Sequence, residues 1–379
     1  MPVSQPGTNA AAPLPLRGSG MVWAPAVSAG TVGAGRKAVD ALAGRPRPSP
    51  RAVPHDLGAG GPGLALAFDQ LDRCRPGQGW RTMADGYLAA AVRGSAHTSP
   101  RTHGLFSGLG GLSFAATTLQ RPWPPGCLTA AATHARLPAD STNRRTLDLI
   151  SGLTGTGACL LSHTDDPQRA EILRTILTTL SSTPPLPDHG IAHGTAGLLA
   201  LLSLALRAGI EVPNQRDAVQ RLATALTGAR TEDAWGTNWP APPSYPGHAR
   251  ASWCQGSPGI ARALWLAGTA LDDQVLRELA CAALKAALRR PASERRIDTT
   301  AGLCHGLAGL LQITLRFAHD TADPAFQAAA DTLVGQLLAL RDPALQQAGF
   351  LGGAAGAVLA LLAATTTQPP LWDRALLLA

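Results

Sequence analysis

The sequence predicts an all-α protein closed into an α/α toroid, a double α-barrel of seven inner and seven outer helices. Three observations predict it. A Gly-x-x-Gly skeleton followed by an apolar run recurs seven times along the 379 residues. The runs after these glycines are apolar nearly all round, the pattern of a buried helix, while the stretches between them are amphipathic. Neither terminal repeat looks capped, whereas an open stack of repeats needs polar end caps.

The repeats run in order. "AGGPGLALAF" begins at Ala59, "SGLGGLSFA" at Ser107, "SGLTGTGACLL" at Ser151 and "HGTAGLLALL" at His193. "QGSPGIARAL" begins at Gln255, "HGLAGLLQI" at His305 and "GGAAGAVLALL" at Gly352. Their first glycines, Gly60, Gly108, Gly152, Gly194, Gly256, Gly306 and Gly353, recur every 42 to 62 residues. One such turn carries no information; seven in register define a repeat architecture. "GLLALLSLALRAG" (197–209) represents the inner helices. "RDAVQRLATALTGA" (216–229) and "DDQVLRELACAALKAALRR" (272–290) represent the outer ones, and "GRKAVDALAG" (35–44) is expected to be the first of them. Each unit reads as outer helix, loop, turn, inner helix. In a ring the seven turns gather at one end of a central cavity, where glycine permits close backbone approach and positive φ. Residues 1–30, rich in Pro, Gly and Ala, are expected to be a disordered leader to a single domain over 31–379. The longest interval holds "WGTNWPAPPSYPGHAR" (235–250), expected as an extended loop near the cavity mouth.

Composition narrows the function classes. Apolar residues make up 45% and aromatics only 4%, so the core is built from Leu, Ala and Val. The formal charge is +7, yet Lys37 and Lys285 are the only lysines and the arginines are scattered, which argues against a nucleic-acid stripe. No run reaches the ~18 apolar residues of a membrane span. The N-terminal stretch lacks the compact apolar region of a signal peptide. A cytoplasmic protein is expected, and there disulfides are uncommon. The six cysteines (Cys74, Cys127, Cys159, Cys254, Cys281 and Cys304) then read as free thiols or metal ligands.

Position in the repeat separates these cysteines. "SWCQGSPG" (252–259) and "LCHGLAG" (303–309) place Cys254 and Cys304 at the same point of successive turns, with His305 beside the second. Three ligands, Cys254, Cys304 and His305, with a vacant fourth position form the pattern of a catalytic zinc site. Soft thiolates favour zinc over magnesium or calcium. The other four cysteines read as small buried hydrophobes. "GIAHGTAG" puts His193 in the register of Gln255 and His305, hence at the mouth. Asp148 lies three residues before Ser151 and fits either a site residue or a helix cap. Arg250, four residues before Cys254, fits either the site or an ordinary surface position.

"DLISGLTG" (148–155), "HGIAHGTAG" (189–197), "RASWCQGSPG" (250–259) and "CHGLAG" (304–309) resemble the lanthipeptide cyclases, the LanC-like family. So does the terminal "PPLWDRALLLA" (369–379), and the likeness runs from about residue 30 onward. The resemblance implies an α/α toroid that binds Zn2+ through Cys254, Cys304 and His305, with His193, Asp148 and Arg250 at active-site positions. It implies addition of a peptide cysteine thiol to dehydroalanine or dehydrobutyrine, giving lanthionine or methyllanthionine rings. His193 would be the general acid, Asp148 its orienting partner and Arg250 the stabiliser of the enolate oxygen. The substrate would be a leader-bearing precursor peptide, dehydrated by a separate dehydratase. Gln255 departs from the tyrosine that many members carry there. Two alternatives remain: a catalytically silent LanC-like peptide-binding scaffold, and another zinc thiol-activating toroid such as a prenyltransferase β-subunit. The low aromatic content disfavours the second.

Overall fold

Each Gly-x-x-Gly turn opens an apolar helix in the computed structural model, which describes residues 23–43, 55–96, 103–137, 143–162, 165–241, 250–297, 299–340, 345 and 347–379. Fourteen helices build the ring, outer ones odd-numbered and inner ones even. In chain order they are α1 (Ala29–Ala43), α2 (Gly61–Cys74), α3 (Trp80–Ser95), α4 (Gly110–Thr118), α5 (Cys127–Ala135), α6 (Leu153–Leu161) and α7 (Pro167–Ser181). Then follow α8 (Thr195–Arg207), α9 (Gln215–Gly228), α10 (Ser257–Ala270), α11 (Gln274–Arg289), α12 (Leu307–Thr321), α13 (Pro324–Ala339) and α14 (Ala354–Thr365). Outer helices α7, α11 and α13 start on side-chain caps from Asp166, Asp273 and Asp323. Such caps satisfy the open N–H groups of a first turn.

Inner helices pack in sequence from α2 to α14, and α14 packs back on α2, so the ring is closed. The packing unit differs from the expected outer-then-inner order. Outer helices α3, α7, α9, α11 and α13 lie chiefly on the inner helix that precedes them. The reason is connection length: the inner-to-outer links are short, which makes antiparallel neighbours, while the outer-to-inner links carry the turns. This leaves α1 without a preceding partner, and it packs on α14. The Trp23 indole donates to the Ala363 carbonyl at 2.8 Å and stacks on His319 at 3.7 Å. Of the leader expected over 1–30, residues 1–22 lie outside the described residues. Trp23 is buried and α1 starts at Ala29, so residues 23–30 belong to the packed chain.

The glycines are needed for room, not for torsion. Gly152, Gly194, Gly256, Gly306 and Gly353 have φ of −101°, −133°, −107°, −137° and −118°, so of the two uses glycine permits, these turns make none of positive φ. Instead, a Cβ on the second glycine of every turn would lie under 3.0 Å from the carbonyl oxygen six residues earlier. Those carbonyls belong to Leu57, Leu105, Leu149, Ile191, Trp253, Leu303 and Phe350, each with 0% exposure. They form an apolar layer that seals the ring just beneath its mouth.

Two further regions refine the expectations. Of the extended loop expected over 235–250, residues 242–249 lie outside the described residues. Part of the rest is a hairpin, β1 (Thr231–Asp233) antiparallel to β2 (Gly236–Asn238), pinned where Arg290 contacts Asp233 at 2.8 Å. The lumen is also occupied. A 3-10 helix, Leu371–Leu376, and the residues after it run inside the ring, with Trp372, Asp373, Leu376, Leu377 and Leu378 all buried.

Candidate metal centre and the mouth of the ring

The seven turns are laced to one another by backbone hydrogen bonds. Phe106 N–H donates to Ile150 O (2.9 Å), Leu149 to Ala192 (3.0 Å), Ala192 to Cys254 (3.1 Å) and Cys254 to Cys304 (3.2 Å). Cys304 then donates to Leu351 (3.0 Å) and Leu351 to Gly58 (2.9 Å). The residues involved sit two before the first glycine of each turn, apart from a one-residue slip at Leu149. One position later come Ala59, Ser107, Ser151, His193, Gln255, His305 and Gly352. Each is exposed or half-buried, while the first glycines that follow are buried. One side chain per turn therefore faces the mouth, and repeat register sets which.

Cys254 and Cys304 occupy adjacent steps of this lacing, and that brings the predicted ligands together. The Sγ atoms of Cys254 and Cys304 and a ring nitrogen of His305 all lie within 4.8 Å of one another. Among the described residues this is the group of three or more His, Cys, Asp or Glu side chains that can hold a metal ion. In a tetrahedral zinc site, with Zn–S near 2.3 Å and Zn–N near 2.0 Å, ligand atoms sit about 3.5–3.8 Å apart. A bound of 4.8 Å admits that spacing, and the trio offers the donor types zinc prefers.

The trio is electrostatically linked. The hydrogen bond with Cys304 pulls the Cys254 thiol well below its ordinary value, against burial, and His305 and Ser252 add to the effect. The same bond, with burial, pushes Cys304 well above it. His305 is raised by its hydrogen bond to Cys254. The three groups thus titrate as one linked set rather than as separate side chains. Arg250 is exposed at the mouth, and its positive charge acts on both Cys304 and His305. Arg250 thus lies within electrostatic reach of the trio.

His193 and Asp148 pair on the turns that precede the trio. His193 Nδ1 lies 2.7 Å from Asp148 Oδ2. The other carboxylate oxygen of Asp148 accepts from the backbone N–H groups of Ser151 (2.7 Å) and Gly152 (3.0 Å). One oxygen of Asp148 thus braces the turn before the helix, and the other meets the imidazole. Asp148 is 1% exposed, so this geometry is rigid, whereas the His193 side chain is 28% exposed toward solvent.

Sequence reasoning did not single out Ser252, whose hydroxyl lies 3.6 Å from Cys254 Sγ while its residue is 1% exposed. Nothing in "SWC" marks it in advance. It also passed over Arg262 and Arg316, although an arginine within an otherwise apolar inner helix is a signal, since a buried charge requires a partner. None of the six cysteines is in a disulfide. Burial pushes the Cys74, Cys159 and Cys281 thiols up, as expected of packing groups.

The family model for the lanthionine synthetase C-like protein matches residues 51–377. The chain belongs to the lanthionine synthetase C-like family. This LanC-like chain is similar in structure to nisin cyclase, with a TM-score of 0.74 and 20% sequence identity, covering 92% of this chain and 96% of that one. That likeness shows the fold. A possible member of the GH105 family from Salmonella enterica subsp. enterica serovar Paratyphi A str. ATCC 9150 gives a TM-score of 0.42 at 14% identity over 82% of this chain and 93% of that one, too low to bear on the site. No curated protein matches the LanC-like sequence. No helix among the described residues is long and apolar enough to cross a membrane.

Proposed function

We propose that this LanC-like chain is a zinc-dependent lanthipeptide cyclase. It adds a peptide cysteine thiol across the double bond of dehydroalanine or dehydrobutyrine, forming lanthionine or methyllanthionine thioether rings. The carrying observation is the convergence of Cys254, Cys304 and His305 on adjacent turns, with a carboxylate-held histidine, His193, on the turn before them. Cys254, Cys304 and His305 would hold the zinc, leaving one position for substrate. Bound there, zinc supplies the Lewis acidity that lowers the pKa of a substrate thiol.

The chain's own groups handle the rest. Attack of the thiolate at Cβ breaks the carbon–carbon π bond and moves its electrons toward the neighbouring carbonyl. The enolate then takes a proton at Cα. His193, held through Nδ1 by Asp148, presents Nε2 as the proton donor. Arg250 brings a mobile positive charge to the mouth for the enolate oxygen. The substrate is a leader-bearing precursor dehydrated by a separate enzyme, and the reaction takes place in the cytoplasm.

The test is incubation of purified protein with a dehydrated precursor, followed by alkylation of remaining thiols and mass spectrometry, since cyclisation itself leaves mass unchanged. Loss of alkylatable thiol well above the buffer rate is expected. Thiols that persist as in buffer would overturn the reading. Peptide binding without thiol loss would make the chain a silent scaffold, the outcome that Gln255 at the mouth favours.

A further inference from the structure

The helices that carry the ligands are poorly joined to each other. Among neighbouring inner helices, α10 and α12 pack against one another least. Their turns are connected by the longest bond of the lacing, Cys254 N–H to Cys304 O at 3.2 Å. Yet the ligand trio depends on that seam, since Cys254 stands at the head of α10 and Cys304 and His305 at the head of α12.

What spans the seam comes from inside the lumen. Asp373, with 0% exposure, accepts both arms of Arg316 on α12, at 2.7 and 2.6 Å, and the Gln312 amide at 2.7 Å. Arg262 on α10 donates through Nε and Nη2 to the Leu378 carbonyl, at 2.8 and 2.6 Å. Its third donor reaches Asp320 on α12 at 2.5 Å. Above these, the Trp253 indole donates to the Leu376 carbonyl at 3.0 Å, one residue before Cys254. Forked arginine contacts fix both distance and orientation. Breaking such a buried pair leaves an uncompensated charge, so the arrangement resists slippage.

We infer that residues 371–378 are an internal clamp that grips α10 and α12 and so sets the separation of Cys254 from Cys304 and His305. The inference rests on the proposed metal reading for its first readout only. The clamp residues touch neither metal nor substrate; they are positioning residues. Outer groups that orient metal ligands commonly govern affinity by 10–100-fold, and here that role falls on a chain segment packed in the lumen.

Three variants test it. Trp253→Phe removes the indole N–H with part of the ring volume and keeps an aromatic ring in place, and Asp373→Asn removes the charge that Arg316 grips. Asp233→Asn is the control, breaking a buried arginine pair at the hairpin, far from the segment in sequence. Zinc affinity is measured by chelator competition, and ligand geometry by the visible spectrum of cobalt-substituted protein. The two clamp variants should bind zinc about tenfold more weakly with an altered cobalt spectrum. Asp233→Asn should lose thermal stability with zinc affinity within about twofold of wild type. In metal-free protein, diamide-driven formation of a Cys254–Cys304 disulfide should slow in the clamp variants only. Wild-type affinity and wild-type disulfide rate in both clamp variants would reduce the segment to filler, as would zinc affinity that simply tracks stability in all three. Absence of zinc binding by the wild type would remove the proposed function, while the disulfide comparison would still decide the clamp.

Discussion

The turn at Cys304–His305 and its neighbour at Leu351–Gly352 share one backbone. Each is laced to the next turn, Cys304 to Leu351 and Leu351 to Gly58. Each buries an apolar residue beneath the mouth, Leu303 or Phe350, and each needs its second glycine, Gly309 or Gly356, because a carbonyl fills the Cβ position. At the two positions before the first glycine, one carries a thiol and an imidazole, the other an isobutyl group and a hydrogen. The comparison teaches that scaffold and chemistry are separately written. The glycines and the buried layer hold the ring, and the two residues before the first glycine decide whether a turn can offer metal ligands.

The largest expected effect falls on the reactive turns alone. Cys254→Ala/Cys304→Ala should reduce zinc from about one per chain to a trace, read by elemental analysis, because a Cys2His site loses two of its three ligands. Its metal-free unfolding midpoint should match wild type, and full occupancy would sink the site assignment. Next comes His193→Asn, which should keep zinc and slow ring formation by roughly 10²–10⁴-fold, the usual worth of general acid catalysis. Loss of zinc in this variant would make His193 a fourth ligand. Asp148→Asn should slow the reaction less, since an amide oxygen still meets Ser151 and Gly152 while the charge facing His193 is gone; a rate equal to wild type would leave Asp148 as a cap only.

Stability should treat the two turns alike. Gly309→Ala and Gly356→Ala should each cost about 1–3 kcal/mol by overpacking, measured by denaturant unfolding. Gly352→Ala, whose Cβ would meet nothing within 4 Å, should stay within about 0.5 kcal/mol. A large gap between Gly309 and Gly356 would mean that the reactive turn is not merely decorated. The last effect concerns acid. Burial, aided by His134, lowers His103 from 6.5 to about 3, on the side of the ring without ligands. Below 6.5 the unfolded chain gains a proton that the folded chain refuses, so stability present above pH 6.5 is lost as pH falls toward 3. The urea midpoint of metal-free protein should drop between pH 7.5 and 5. A flat midpoint would contradict the burial of an uncharged His103.

The repeat and the ligand trio were readable in the sequence for a common reason. Steric exclusion at Gly259 and Gly309 is local, so it stamps the same residue at the same spacing every time, and the register it defines carries Cys254, Cys304, His305 and His193 with it. What escaped was long-range. That α1 belongs to α14, that Arg316 meets Asp373 and that Leu376 lies under Trp253 depend on chain segments meeting across most of the molecule. The close approach expected at the turns is there, but which of its two uses glycine serves was not legible, because sequence does not tell clearance from torsion.

The pairing of α1 with α14 also has a consequence in time. Trp23 and Ala363, which join the two, are 340 residues apart. At the ribosome's pace of about 5–20 residues per second, α1 waits on the order of 20–70 s for its partner to be made. Throughout that wait the nascent molecule is an open arc, with the buried face of α1, Val39 and Leu42 among it, still uncovered. A circular permutant that starts at α2 and carries α1 after α14 would preserve the ring's contacts and spare α1 that wait, leaving the meeting of α14 with α2 as the closure that comes last.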